Sequence, residues 1–249
     1  MYITVSELSK YWNIAPTGVL HVGAHLGEEA SDYEKFGWTP AIWVEAQPNL
    51  VEILATKLDS SKHKVIEAAV WEEDGVPLKL HIASNSQSTS LLNFGTHSDF
   101  HPDITYVSEV NVLTKRLDSL IKPEEMPNFV NLDIQGVELS ALKGLGKLLD
   151  FVDYIYTEVN RTNVYRDCSR VEDIDSFLKL NGFRRASTRW LWLEGWGDAL
   201  YIRNDVSNRR KLQIFRYFFH QIFFYKPQAK RILWTIVINL SHFYKVRKH

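Results

Sequence analysis

Cysteine is nearly missing from this chain. Its 249 residues hold one, Cys168, which excludes an internal disulfide, and no Cys/His spacing suggests a structural zinc. A reducing compartment fits that usage. No apolar run reaches the ~20 residues needed to span a bilayer. The opening residues, Met1-Tyr-Ile-Thr-Val-Ser-Glu, show no basic stretch followed by an apolar one. They do not read as a secretory signal, and a cytoplasmic location is expected. Internal repeats and low-complexity segments are absent. So is the Gly-x-Gly-x-x-Gly fingerprint of dinucleotide sites.

What remains is ordinary globular composition, 45% apolar and 24% charged, in a chain long enough for one large α/β domain. The net charge of −1 hides an asymmetry. Residues 203–249 carry 11 Lys/Arg against one acid, Asp205, a net of +10, whereas residues 1–202 are net −11. Two parts are expected: a domain over 1–203 and a basic, aromatic helical extension over 204–249.

Short apolar runs suited to buried parallel strands recur at 18–23, 41–45, 65–70, 129–133 and 154–158. Helical patterns cover 5–12, 28–36, 48–58, 137–149 and 171–180, with Pro48 opening one helix and Gly37 and Asn181-Gly182 closing two others. Residues 78–83 and 105–113 alternate like strands, and 183–192 with 199–203 form a closing pair. This rhythm predicts a doubly wound, mostly parallel α/β sheet covered on both faces.

The sharpest local signal is Val19-Leu-His-Val-Gly-Ala-His-Leu-Gly-Glu-Glu, small residues between a strand and a helix. Glycine there permits a tight turn and close approach of a ligand. One strand later, Trp43-Val-Glu-Ala-Gln-Pro places Glu45 at a strand end, positioned to accept hydrogen bonds from both hydroxyls of an adenosine ribose. The alternative is a loop glycine and a helix cap. Glu28 and Glu29 disfavour a pyrophosphate at the helix start and suit a positively charged sulfonium.

With Ala68-Ala-Val-Trp, Asn85-Ser-Gln-Ser-Thr-Ser-Leu-Leu, Leu117-Asp-Ser-Leu, Asn131-Leu-Asp-Ile-Gln-Gly-Val-Glu-Leu and Trp196-Gly-Asp-Ala-Leu-Tyr, the ordered set over residues 15–203 resembles the FkbM family of methyltransferases. The resemblance implies a class I methyltransferase (Rossmann-like) fold, with a seven-stranded sheet whose last strand is reversed. It further implies S-adenosylmethionine as donor and a hydroxyl as the usual acceptor. Matched by position, it implies cofactor contacts from His21, Gly23, Ala24, His25 and Gly27 in the first turn. It adds Glu45 with Gln47 at the ribose, Ala69 and Val70 at the adenine, and Asp133 and Gln135 near the methyl group.

Catalytic candidates follow from the rule that open α/β sheets bind at the carboxyl ends of their strands. Asp133 ends an apolar strand, where packing would not choose a carboxylate. It is the first candidate for base or acceptor orienter, the alternative being a helix cap. Glu158 and Asn160 stand one strand on, as acceptor contacts or as a tie to Arg161 or Arg166. His25 is a candidate base or a packing residue. His21 also reads as a core histidine, and Glu138 as a solvated helix residue. Asn85, Gln87, Ser88, Thr89 and Ser90 offer hydroxyls and amides suited to a sugar or other polyhydroxy acceptor, or form a solvated loop. His97 and His101 flank Asp99, but with no second cluster in the sequence no metal is expected.

The extension, with its arginines and dense aromatics over 209–225 and its apolar stretch over 232–240, fits a hairpin lying on the inner face of an anionic membrane. It equally fits packing on the domain or homodimerisation. The acidic body and the lack of an RNA-binding motif argue against a nucleic-acid partner. Two rival readings stay open: an NAD-linked oxidoreductase on a similar sheet, and an inactive cofactor-binding scaffold tethered at a membrane.

Overall fold

Val, Ile, Leu and Trp occupy both faces of the short strands, so each strand is buried on both sides and needs a covering layer above and below. The computed structural model describes residues 1–191 and 193–208; the expected contacts of 209–249 lie outside the described residues. In chain order the elements begin with α1 (Val5–Tyr11), β1 (Val19–Val22), α2 (Ala30–Lys35), β2 (Ala41–Glu45), α3 (Pro48–Lys57), β3 (His63–Glu67), β4 (Ala69–Val70) and β5 (Pro77–Ala83). They continue with α4 (His97–Phe100), β6 (Tyr106–Lys115), α5 (Leu117–Leu120), β7 (Phe129–Leu132), α6 (Glu138–Gly144), β8 (Tyr154–Asn160), α7 (Val171–Leu180), β9 (Phe183–Leu191), β10 (Trp196–Arg203) and α8 (Asn204–Asn208).

The main sheet runs β3-β2-β1-β7-β8-β10-β9. The first five strands are parallel, and β10 is antiparallel to both neighbours. The last strand in sequence is therefore reversed and inserted beside β8, which is the class I methyltransferase topology. Side chains alternate between two cores. Leu20, Val22, Val130 and Leu132 pack with Leu142 of α6 and Ile174 of α7 on one face. Val19, Trp43 and Phe129 pack with Leu8 of α1, Tyr33 of α2 and Leu54 of α3 on the other.

Two expectations are corrected, over 65–70 and over 137–149. The run 65–70 is not one strand: β3 ends at Glu67, and β4 leaves the sheet to pair with β6. The strands expected at 78–83 and 105–113 form as β5 and β6; they pair antiparallel with each other outside the main sheet, and β4 joins β6 in parallel, order β4-β6-β5. The helix expected over 137–149 stops at Gly144, because Gly146 adopts φ +50° and the chain continues as a 3-10 segment, Gly146–Phe151.

Strand β1 and the parallel neighbours β2 and β7 end together, so the loops after Val22, Glu45 and Leu132 meet at one edge. Among the described residues no helix is long and apolar enough to cross a membrane.

Candidate active site

The chain leaves β1 through Gly23 at φ +84°. A Cβ there would lie 1.9 Å from the carbonyl oxygen of Asp133, so the adjoining strand end requires a glycine before any ligand does. His25 follows at φ +47°, turning its backbone N–H toward Glu45 Oε2 at 2.8 Å. The other Glu45 oxygen accepts the N–H groups of Ala46 and Gln47, both at 2.9 Å. Burial raises the Glu45 carboxyl above its ordinary range, and these three N–H groups pull against that shift. The carboxylate is thus fixed in direction while facing a slot.

That slot, with free volume of about 70 Å³, is walled by Val44, Ala69, Val70, Leu80 and Val137 and closed on one side by residues 86–91. The closure is a clasp. His25 Nε2 lies 2.7 Å from Ser86 Oγ, and Gln47 Nε2 donates to the Ser86 carbonyl at 3.3 Å. His25 Nδ1 pairs with Glu28 Oε1 at 2.6 Å.

Gly23, His25, Gln87, Asp133 and Gln135 line both the slot and a chamber of about 530 Å³ beside it. Asp133 is exposed at this junction. Gln135, held at φ +56°, donates from Nε2 to Asp133 Oδ1 at 2.7 Å and to Glu158 Oε2 at 3.1 Å. Its Oε1 accepts the Tyr165 hydroxyl at 2.6 Å, which fixes the amide orientation. Burial, with the carboxylates of Asp133, Glu138 and Asp198 around it, pushes Glu158 well above the usual carboxylate range. Glu158 therefore holds a proton more readily than an ordinary carboxyl does.

Sequence-expected residues part company here. Glu45, Gln47, Ala69 and Val70 line the slot; Ala24, Asn85, Ser88 and Glu158 line the chamber. Gly27 lines neither, and its φ of +63° and closeness to Leu54 serve the turn into α2. His21 touches the chamber wall, but its imidazole is buried, stacked on Trp43 at 4.8 Å and bonded to Tyr33 and Asn131; it belongs to the core. The Thr89 hydroxyl accepts from Ala83 N, and that of Ser90 donates to the Gln135 carbonyl, so both build the loop. Asn160 is fully buried and lines neither space. Glu158 bonds Gln135, while Arg161 stacks on Trp190 and Arg166 reaches the Phe94 carbonyl. His101 pairs with Glu194 at 2.9 Å. Among the described residues no three His, Cys, Asp or Glu side chains are grouped to hold a metal.

Glu138 is the main correction. It is not a solvated helix residue: it is fully buried, and its Oε1 accepts the N–H groups of Ile134 at 3.2 Å and Gly136 at 3.0 Å. It, and not Asp133, holds the turn that presents Gln135. The signal was Gly136-Val-Glu138, a first-turn acid directly after a glycine bend. Tyr165 and Asp198 were also missed as site residues.

Burial pushes the Glu138 carboxyl up to about 7, so between the unfolded value near ~4.3 and ~7 the folded chain holds the extra proton. Stability is then highest at the acid end and falls as pH rises through that window. Glu138→Gln keeps the acceptor oxygen. Its melting temperature is expected to change less between pH 5 and 8 than that of the parent, whose decline reflects on the order of 2 kcal/mol; parallel curves would overturn this role.

A family model, the methyltransferase FkbM domain, matches residues 21–185. The chain belongs to the FkbM methyltransferase family. Its methyl donor is S-adenosylmethionine. No curated protein matches the sequence. Solved structures similar to this FkbM chain include magnesium protoporphyrin IX methyltransferase from Synechocystis PCC 6803 with bound SAM, at 12% identity and TM-score 0.46, covering 80% of this chain and 76% of that one. Another is a protein of the NADB-Rossmann superfamily from Streptococcus agalactiae, at 13% identity and TM-score 0.47, covering 93% and 91%. A third is a putative tRNA (m1A22) methyltransferase from Streptococcus pneumoniae, at 14% identity and TM-score 0.45, covering 79% and 68%. Likeness at this level says nothing of the FkbM chain's acceptor.

Proposed function

We propose that this methyltransferase acts on a hydroxyl of a polyhydroxy acceptor, a sugar or glycan, with the donor nucleoside in the slot and the acceptor in the chamber. The observation that carries the reading is Glu45, buried, braced by three backbone N–H groups and lining the slot. A braced carboxylate between apolar walls fits a ribose and adenine, and acidic neighbours fit a sulfonium. Glu45 would hold the ribose hydroxyls, with Ala69, Val70 and Leu80 against the base.

Bound there, S-adenosylmethionine supplies a methyl group on positively charged sulfur, open to in-line displacement. The protein's own part is positioning and proton removal. Asp133, at the junction of slot and chamber, takes the proton of the acceptor hydroxyl as its oxygen bonds the methyl carbon. Gln135 fixes the direction of Asp133, and Tyr165 fixes Gln135. Glu158, whose burial favours its neutral form, lessens the negative charge at the side of Asp133. The hydroxyls and amides of Asn85, Gln87 and Ser88 face the acceptor side, matched to a polyol.

Titration calorimetry with S-adenosylhomocysteine beside NAD tests the donor: binding of the first and not the second is expected, and the reverse would restore the oxidoreductase reading. Tyr165→Phe frees the Gln135 amide to turn. It is expected to lower kcat about tenfold while S-adenosylhomocysteine affinity stays within about twofold, the loss of one hydrogen bond costing ~1 kcal/mol. An unchanged kcat would remove Tyr165 from the site.

The slot holds only about 70 Å³ of free volume and the 86–91 segment walls one side of it, which places that segment to gate a nucleoside. Ser86→Ala breaks the His25 side of the clasp. Stopped-flow release of S-adenosylhomocysteine is expected to quicken about fivefold; an unchanged rate would show that the clasp does not gate the slot.

A further inference from the structure

The chamber's electrostatics go further than a polyol requires. Six carboxylates line it, those of Glu28, Glu29, Asp133, Glu158, Glu194 and Asp198, and among the described residues no lysine or arginine does. Some of this charge is answered locally. Glu29 lies 3.5 Å from the Met1 amine, Glu28 pairs with His25, and Glu194 pairs with His101. Even counting both histidines as cations, Asp133, Glu158 and Asp198 remain. Burial favours the neutral form of Glu158. Asp198 accepts the Tyr156 hydroxyl and the Tyr2 N–H; burial and the nearby Asp133 bring its carboxyl up to about 6, so it is still mainly ionised at neutral pH. Two negative charges are therefore left. The donor brings one net positive charge, its sulfonium, since its amino and carboxylate groups cancel. One negative charge stays unanswered.

Two other observations point to what answers it. His97 is buried, 7% exposed, and lines the same chamber. Burial keeps its imidazole below the ordinary value and hence neutral. Its Nε2 lies 3.3 Å from Ser88 Oγ, and its buried Nδ1 has no hydrogen-bond partner. Across the lining, the rings of Tyr2 and Trp196 sit 5.4 Å apart. Aromatic faces beside carboxylates are the usual surroundings of a bound ammonium group.

We propose that the chamber takes an acceptor bearing a free ammonium group beside its hydroxyls, such as a sugar whose amine is not acylated. The charge stays on the substrate throughout: the hydroxyl oxygen gains the methyl carbon, the C–S electron pair stays with sulfur, and the hydroxyl proton goes to Asp133 and then to water. The proposal rests on the slot being the donor site. It adds that the acceptor is selected by charge, and that acidic sugars are turned away.

The test uses the full chain saturated with S-adenosylhomocysteine and a matched set of methyl glycosides: glucosaminide, N-acetylglucosaminide, glucoside and glucuronide. Calorimetry at pH 7.5 is expected to show the glucosaminide bound at least tenfold more tightly than the glucoside or its N-acetyl counterpart, with the glucuronide weakest. Glu194→Gln is expected to shrink that preference severalfold while S-adenosylhomocysteine affinity is unchanged. Equal or weaker binding of the glucosaminide, including none, overturns the proposal. So does a preference that vanishes with EDTA, which would assign the missing charge to a divalent cation. Failure of S-adenosylhomocysteine itself to bind would instead overturn the donor assignment, so the two failures are distinct.

Discussion

Asp133→Asn is expected to slow methyl transfer by two to four orders of magnitude, the range over which a positioned general base acts, while S-adenosylhomocysteine affinity stays within about threefold. The geometry makes this a clean substitution. Asp133 sits exposed where slot and chamber join, and its Oδ1 accepts from Gln135. Asparagine keeps that oxygen and the size of the side chain, losing only the capacity to take a proton. Its backbone N–H, bonded to the Val22 carbonyl at 3.0 Å, is untouched, so the strand end is preserved. Single-turnover kinetics on any accepted substrate reads the chemical step directly. Full activity would remove Asp133 as the base and turn attention to His25, the remaining candidate on the junction.

Glu45→Ala is expected to weaken S-adenosylhomocysteine binding by roughly two orders of magnitude or more. Two hydrogen bonds from ribose hydroxyls to a carboxylate are worth about 1.5–3 kcal/mol each, and ~1.4 kcal/mol is tenfold in affinity. The same change strips the acceptor from the N–H groups of His25, Ala46 and Gln47, loosening the left-handed turn at His25. Glu45→Gln, which keeps one acceptor oxygen, should fall between the two. Calorimetry checks both, with circular dichroism confirming that the sheet persists. Unchanged affinity in the alanine variant would mean that the ribose lies elsewhere.

Strand order and site were legible in the sequence to different degrees. The parallel strands announced themselves because a strand buried on both faces leaves an apolar run ended by glycine or acid, as at Val19–Val22 and Ala41–Glu45. Glu45 was legible for the same reason: a carboxylate closing such a run has no packing purpose. The β5–β6 ribbon was visible as strands but not as a separate sheet, since alternation records one face turned to water and not which partner supplies the hydrogen bonds. His21 shows the opposite difficulty. A histidine in a strand looks available until Tyr33 and Asn131, 12 and 110 residues away, are found bonded to it. Glu138 was misread because a first-turn glutamate is ordinarily solvated; the glycine bend just before it was the overlooked cue, and the structure shows the Ile134–Gly136 bend lying over its carboxyl. Tyr165 carries no local mark, and Asp198, although inside Trp196-Gly-Asp-Ala-Leu-Tyr, gives no local sign of its partners Tyr156 and Tyr2, 42 and 196 residues away.

The contact between Gly23 and the Asp133 carbonyl also bears on how such a protein changes over generations. No side chain fits at position 23 without displacing the main chain that carries Asp133, so this turn tolerates almost no drift. The opposite wall is drawn from surface segments, with Asn85, Gln87, Glu194 and Trp196 projecting from loops and a strand margin. Point changes at Asn85, Glu194 or Trp196 leave that turn untouched, whereas Gln87 also lines the slot. A lineage built on this frame is free to acquire new targets one loop residue at a time.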